Sequence, residues 1–314
     1  MTRSVPLPPP ALVAVGWVAT ALVATAVLGV SGAMPGRWPE QAHLVGHLGL
    51  CGVLAALVAA SVPGPAVRRA AVGLAATVAF GAAIEAIQLR YHPHWTEVVY
   101  DLLTDGIGAC AGLLAWAHLG GRGRREAVGH LLSAALHPLW VAPVGLAMAT
   151  YAGERSGGVA VRWMGVAGLC LAPAIGLWGL GVARRWWSDA DLSRRTDRAG
   201  LFAVGCASLV AFGGIAAARG PDAVGVLAAL AVSGAVLGTL LTVGGLKVSG
   251  HVAIPAALGL ATALWSWRGP WLLLAVAVLL TWARPAAGRH QRREVAAAWA
   301  LAAALGLAAA LAAG

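Results

Sequence analysis

Residues 222–246, DAVGVLAALAVSGAVLGTLLTVGGL, form an almost uninterrupted apolar run that is followed directly by Lys247-Val-Ser-Gly-His251. A helix needs about 20 apolar residues, at a rise of about 1.5 Å each, to cross about 30 Å of hydrocarbon. The run has that length, and it ends in a polar segment that a membrane span does not require. It therefore predicts a transmembrane helix with a polar cluster at its end.

Similar runs recur along the whole chain, in which 60% of the residues are hydrophobic and 11% are charged. Helices are the expected element, because backbone amides in lipid must be satisfied within the segment and no run alternates like a barrel strand. About eleven spans are predicted, at residues 9–31, 43–63, 66–89, 98–120, 130–153, 159–183, 199–218, 222–246, 250–267, 269–283 and 295–313. The predicted fold class is all-α, a polytopic integral membrane protein with two helical bundles.

A short basic and glycine-rich joint, Gly120-Gly-Arg-Gly-Arg-Arg-Glu126, separates the first four predicted spans from the others. Joints of this composition are typical of boundaries between domains. The predicted organisation is a four-helix membrane domain at 1–120, a basic linker at 121–129 and a second membrane domain at 130–314.

The net charge of +10 comes from basic residues in short loops between apolar runs. Because no basic stripe lies on a soluble module, nucleic acid is not an expected partner, and the charge is assigned to membrane orientation. If the helices alternate, most basic residues fall on one side, which the positive-inside rule puts in the cytoplasm together with the amino terminus. The sequence thus predicts a multi-pass protein of the bacterial plasma membrane, and it does not indicate an oligomeric state.

Three polar clusters in the second block, at 184–198, 247–251 and 284–294, are separated by pairs of predicted helices, so alternation returns them to one membrane face. Phosphoryl transfer needs cations around the non-bridging oxygens, a nucleophile and an acid for the leaving group. Arginine and lysine bind phosphate oxygens, and imidazoles transfer protons near neutral pH. Glu294 lies one helical turn after His290, where its carboxylate can fix the histidine tautomer.

Two of these clusters resemble signatures of the type 2 phosphatidic acid phosphatase family. Ala283-Arg-x5-His-x3-Glu294 is similar to the family's Ser-Arg-x5-His-x3-Asp, and Val248-Ser-Gly-His251 is similar to Pro-Ser-Gly-His. For the family's Lys-x6-Arg-Pro motif the chain offers Arg198, with Asp191 in place of the lysine and Ala199 in place of the proline.

This resemblance implies a reaction without a metal, in which one histidine becomes a phosphohistidine. It implies His290 as the nucleophile, Glu294 as its orienting carboxylate and His251 as the acid for the leaving group. The candidate phosphate-binding residues are Arg198, Arg284, Lys247, Ser249 and Gly250. No cofactor is expected.

The predicted function is hydrolysis of a membrane lipid phosphate or isoprenoid pyrophosphate, because a site at helix ends beside the bilayer selects substrates whose tail stays in lipid. The alternatives are a non-catalytic protein of envelope stress or glycopeptide resistance, a lipid binder or carrier, and polar residues that merely occupy helix ends. Asp189, Asp191 and Asp197 also suggest a metal–diphosphate site like that of membrane prenyltransferases, but a second Asp-rich loop is missing.

The first block carries ionisable and amide residues in or beside predicted spans, where buried charge is costly and often functional. They form three pairs at helical spacing, which alternation puts near one face: His43 and His47, Glu85 and Gln88, and Asp101 and Asp105. With Gly108, this pattern resembles the VanZ-like family, four-helix membrane proteins named for a role in glycopeptide resistance, although the family has asparagine at the position of Asp105. The resemblance implies a fold more than a reaction.

Imidazole and carboxylate ligands of this kind also suit zinc. Hydrogen-bonded pairing within the bundle is the favoured interpretation, and no metal is predicted. Four cysteines, Cys51, Cys110, Cys170 and Cys206, are predicted to be small core residues. Three histidines, His118, His130 and His137, are predicted to serve packing or the membrane interface.

Overall fold

The computed structural model of the protein describes residues 40–89, 95–187, 198–266 and 268–313. Across these ranges the regular secondary structure is α-helical, and no β-strand occurs among the described residues. The prediction of an all-α fold is confirmed. The predicted span at 9–31 lies outside the described residues.

The described helices follow one another through short connections. They are α1 (Glu40–Ser61), α2 (Ala66–Gln88), α3 (Trp95–Leu119), α4 (Arg122–Ala135), α5 (Pro138–Glu154), α6 (Gly157–Ala183), α7 (Arg198–Arg219), α8 (Asp222–Val243), α9 (Gly250–Thr262), α10 (Arg268–Ala286) and α11 (Arg292–Ala313). Seven of the described helices are long and apolar enough to cross a membrane: α1, α2, α3, α6, α7, α8 and α11. Large apolar side chains on these helices, such as Leu169 and Val243, are 78% and 79% exposed, which lipid accepts and water disfavours. The chain is a multi-pass membrane protein.

Two predicted spans differ from the helices observed. The span at 130–153 is broken into α4 and α5, because Pro138 has no N–H to continue a helix and disfavours helical geometry at His137. The span at 250–267 contains only the 13 residues of α9, which reach about 20 Å and fall short of the hydrocarbon thickness. The count of eleven transmembrane helices therefore stays a prediction.

The chain forms two compact units. The first unit comprises the described residues up to Ala135 together with Trp282–Gly288, and the second comprises Leu136–Thr281 and Arg289–Gly314. Most of the predicted linker at 121–129 is helical and lies in α4, within the first unit.

In the first unit, α1, α2 and α3 pack against one another, and α4 packs against α2 and α3. Glycines bring α1 and α3 into backbone contact. A Cβ atom on Gly112 would collide with the carbonyl oxygen of Gly52, and one on Gly108 would lie 2.6 Å from the carbonyl oxygen of Leu48. Small residues of this kind let membrane helices approach closely. The close approach of α1 and α3 places their polar side chains against each other.

The turn between α1 and α2 is held by Arg69, whose Nε and Nη2 donate to the carbonyl oxygens of Ala59 and Ala60, each at 2.8 Å. These bonds satisfy carbonyls at the end of α1 that no helical amide reaches. The guanidinium of Arg69 also lies 5.1 Å from the ring centre of Trp116 on α3, so the turn is joined to the third helix as well.

In the second unit, α9 packs against both α5 and α11, and α8 packs against α7 and α11. Ala256, Ala277 and Ala302 are fully buried, one each from α9, α10 and α11, and form a small-residue core with partly buried neighbours. Trp299 Nε1 donates to Thr281 Oγ1 at 2.8 Å and adds a polar bond between α10 and α11. These contacts fix α9 and α11. The motif histidine His251 lies in the first turn of α9, and the motif histidine His290 lies just before α11.

Candidate functional site

The segments that precede α9 and α11 are joined by a hydrogen bond from Lys247 Nζ to the backbone oxygen of Arg289, at 3.3 Å. His251 is the second residue of α9, and His290 directly follows Arg289. Because α9 and α11 also pack against each other, the two histidine-bearing segments are neighbours in the second unit.

The Nδ1 atom of His290 lies 3.0 Å from Glu294 Oε2. The same carboxylate oxygen accepts the backbone N–H of Gln291 at 3.0 Å, so Glu294 also caps the first turn of α11. Both side chains are largely shielded, at 3% and 13% exposure for His290 and Glu294. When Nδ1–H donates to the carboxylate, the neutral imidazole carries its lone pair on Nε2, which is the form a nucleophilic histidine requires.

Ser249 occupies the position before the first residue of α9 and is fully buried. Its hydroxyl makes no hydrogen bond with any described residue. Buried hydroxyls are normally paired, and the amino-terminal end of a helix attracts anions through its exposed N–H groups and its dipole. Ser249 and Gly250 therefore form a suitable contact for a phosphate oxygen at the start of α9.

His251 is buried, with 8% of its surface exposed, and its ring meets the ring of His137 edge to face, at a centroid distance of 4.9 Å. His137 precedes α5 and accepts the N–H of Leu139 at its Nδ1 atom, at 3.2 Å. This leaves Nε2 as the protonated nitrogen of a neutral His137. The sequence predicts a packing or interfacial role for His137, and no spacing in the sequence indicates its contact with His251.

Arg284 and Arg198 are the other predicted phosphate ligands. Arg284 lies in the last turn of α10, is 2% exposed and belongs to the first unit. Arg198 is the first residue of α7, and its side chain lies outside the described residues, as do Asp191 and the side chain of Ala199. Phosphate binding by Arg198 and Arg284 stays a prediction.

A second polar cluster lies in the first unit and draws on three helices. His47 from α1, Glu85 from α2, and Asp101 and Asp105 from α3 are 0%, 2%, 8% and 1% exposed. His47 Nδ1 lies 2.7 Å from Asp105 Oδ1, and Cys51 Sγ donates to the same oxygen at 3.0 Å. Cys51 follows His47 by one helical turn, so the spacing puts both residues on one face of α1. The sequence nevertheless predicts Cys51 to be a core residue.

The carboxylate of Asp105 reaches the surface of α2 opposite Gly81, where a Cβ atom would collide with Asp105 Oδ2. Neither Asp105 Oδ2 nor Glu85 Oε1 accepts a hydrogen bond from the described residues. His47, Glu85 and Asp101 each present a ligand atom within 4.8 Å of the other two. The cluster thus has residue types that could hold a cation.

The structure brings four of the six predicted residues of this block together. Gln88 ends α2 at a half-buried position, three residues beyond Glu85. His43 lies in α1, but its side chain is outside the described residues.

Comparison of the chain with family models, with curated proteins and with solved structures gives no match. The two family resemblances therefore stay predictions that depend on the motif residues.

Proposed function

We propose that the second unit hydrolyses a phosphate ester or pyrophosphate of a membrane lipid through a phosphohistidine intermediate. The observation that carries the proposal is the hydrogen bond from Lys247 to the backbone of Arg289, which joins the Ser-Gly-His segment to the segment that bears His290. A nucleophile, an acid and cationic or N–H donors are the parts that such a reaction needs, and these segments supply candidates for each.

In the proposed mechanism, Nε2 of His290 attacks phosphorus while Glu294 holds Nδ1–H and stabilises the positive charge that develops on the ring. The bond from phosphorus to the lipid oxygen breaks, and His251 donates a proton to that oxygen. His251 then takes a proton from a water molecule that attacks the phosphohistidine; the P–N bond breaks, inorganic phosphate is released, and both imidazoles return to their starting forms. The distance of 3.0 Å between His290 and Glu294 supports the orienting role of the carboxylate.

Binding of the phosphate is assigned to Ser249, Gly250 and Lys247, which lie at and just before the first turn of α9. The buried hydroxyl of Ser249 has no hydrogen-bond partner among the described residues, so a phosphate oxygen would satisfy it. Arg198 and Arg284 are the proposed additional ligands, by their positions in the motifs.

A lipid is the proposed substrate because the helices around these segments are apolar and expose large hydrophobic side chains to their surroundings. A substrate whose tail remains in the bilayer reaches a site at helix ends without leaving the membrane. The proposed setting is the bacterial plasma membrane, with the amino terminus on the cytoplasmic side.

The test is phosphate release by purified full-length protein from vesicles that contain phosphatidate, phosphatidylglycerol phosphate or undecaprenyl pyrophosphate, with and without a chelator. Wild-type protein is expected to release phosphate from at least one of these lipids when the chelator is present. His290→Ala is expected to lower the rate by at least about 1,000-fold, since it removes the nucleophile.

His130→Ala is the matched control, because His130 lies on α4 with its side chain 42% exposed and takes no part in the proposed reaction. It should hydrolyse lipid at the wild-type rate. Release that persists in His290→Ala would contradict the proposal. Binding of lipid phosphates by a folded wild-type protein that releases none would instead support a binder or carrier.

A further inference from the structure

We propose that the first unit binds a divalent transition metal ion, with zinc the best fit to its ligands, through His47, Glu85 and Asp101. The ligand atoms of these side chains come from α1, α2 and α3 and lie within 4.8 Å of one another. A tetrahedral zinc ion with bonds of about 2.0–2.2 Å holds its ligand atoms about 3.3–3.6 Å apart. On binding the ion, the side chains would rotate to bring these atoms to that separation.

The hydrogen bond between His47 and Asp105 selects the nitrogen that binds the ion. Nδ1 donates to Asp105 Oδ1 at 2.7 Å, so the neutral ring carries its lone pair on Nε2. A carboxylate that holds the second nitrogen of a metal-binding histidine is a recurring feature of zinc sites. Cys51 donates its S–H to the same oxygen and is therefore a thiol in this arrangement, outside the ligand set. Asp105 is a positioning residue.

Glu85 provides the observation that favours a cation over hydrogen-bonded pairing alone. Its side chain is 2% exposed, and Oε1 accepts no hydrogen bond from the described residues. A buried carboxylate oxygen without a donor is costly, and a coordinated cation removes that cost.

The donor set also indicates the class of ion. One imidazole with two carboxylates suits zinc, manganese or iron, whereas magnesium and calcium favour oxygen ligands alone. A divalent ion offsets the two negative charges of Glu85 and Asp101, which lowers the cost of placing them inside a membrane bundle. Three protein ligands leave a coordination position open for water or another oxygen ligand.

Glycines of the surrounding helices position the side chains of this cluster. Gly81 leaves the space that the Asp105 carboxylate occupies beside α2, and the contact of Gly52 with Gly112 keeps α1 and α3 at backbone distance. His47 and Asp105 are thereby fixed across the interface of two helices.

The experiment measures metal content directly and does not depend on the hydrolase activity proposed for the second unit. Full-length protein carrying a tag without histidine is purified in detergent from zinc-supplemented cells and analysed by mass spectrometry for metals. About one zinc ion per chain is expected. After removal of the ion with a chelator, titration with Co²⁺ is expected to produce the visible absorption of a four-coordinate cobalt site.

Glu85→Gln and Asp101→Asn keep the shape of each side chain and are each expected to weaken Co²⁺ affinity by at least about 10-fold, and Asp105→Asn by about 10-fold to 100-fold. Glu126→Gln, at an exposed position of α4, is the matched control and should bind as the wild type does. His290→Ala should also retain the ion, which assigns it to the first unit.

Folded wild-type protein that holds no metal after purification and takes up neither Zn²⁺ nor Co²⁺ would overturn the proposal. Unchanged Co²⁺ affinity in both Glu85→Gln and Asp101→Asn would overturn it as well. Circular dichroism and gel filtration establish that each variant is folded, so loss of the ion in a folded Glu85→Gln protein counts as support.

Discussion

The imidazole of His47 on α1 and the carboxylate of Asp105 on α3 are 2.7 Å apart, although 58 positions separate them in the chain. Both side chains are almost fully buried, at 0% and 1% exposure. A polar pair at this depth in a membrane bundle fixes the rotation of each helix about its axis, because turning either helix would leave a polar group facing apolar surroundings.

Replacing Asp105 by asparagine is therefore expected to destabilise the protein. Asparagine keeps the shape but loses the charge that pairs with His47, and hydrogen bonds between membrane helices contribute up to roughly 1–2 kcal/mol. Denaturation in increasing mole fractions of sodium dodecyl sulfate measures the change. Asp222→Asn, at an exposed position in the first turn of α8, is the control and should shift stability by less than about 0.5 kcal/mol.

Gly81→Ala is expected to destabilise the first unit, because the added Cβ atom would collide with Asp105 Oδ2. Forcing an extra carbon into a packed interface costs roughly 1–3 kcal/mol. Gly106→Ala on α3 is the matched control, since its Cβ would meet no atom within 4 Å. Alanine is the better helix former, so that variant should be as stable as the wild type or slightly more stable. Equal stability of the two variants would argue against the close contact of Gly81 with Asp105.

Ser249→Ala separates a binding role from a structural one. The hydroxyl has no hydrogen-bond partner among the described residues, so its removal should leave the free energy of unfolding unchanged within about 0.5 kcal/mol. If the hydroxyl binds a phosphate oxygen, kcat/KM for lipid phosphate should fall by about 10-fold, which corresponds to roughly 1.4 kcal/mol. Phosphate release and denaturation, measured on one preparation, give both quantities. Lower stability with unchanged hydrolysis would show that the hydroxyl serves packing.

Glu294→Gln tests the orienting carboxylate. The amide oxygen of glutamine can still accept the N–H of Gln291, so the cap of α11 and the stability should be largely kept. The loss of negative charge beside His290 Nδ1 should lower kcat by at least about 100-fold, because the charged imidazole that forms during attack loses its partner. Single-turnover phosphate release is the measurement. A wild-type kcat in this variant would restrict Glu294 to capping the helix.

Local contacts of the site could be predicted from the sequence. Glu294 follows His290 by four residues, so the helical repeat alone puts the two side chains on one face, and the structure has them 3.0 Å apart. The contact of Cys51 with Asp105 could be predicted only in part. The spacing of Cys51 from His47 is local and puts both on one face of α1, but Asp105 lies on another helix. The break before α5 was open to prediction from Pro138, yet the apolar run across it favoured a continuous span.

The sequence by itself determined that this is an all-helical, multi-pass membrane protein. The length and polarity of each apolar run are local properties, and they decide whether the run can cross the bilayer as a helix. Only the tertiary structure decided which polar residues meet. The contacts of Lys247 with Arg289, of His137 with His251 and of His47 with Asp105 depend on how helices rotate and how closely they pack. That packing is set by small residues such as Gly52 and Gly112, whose effect appears only when two helix backbones touch.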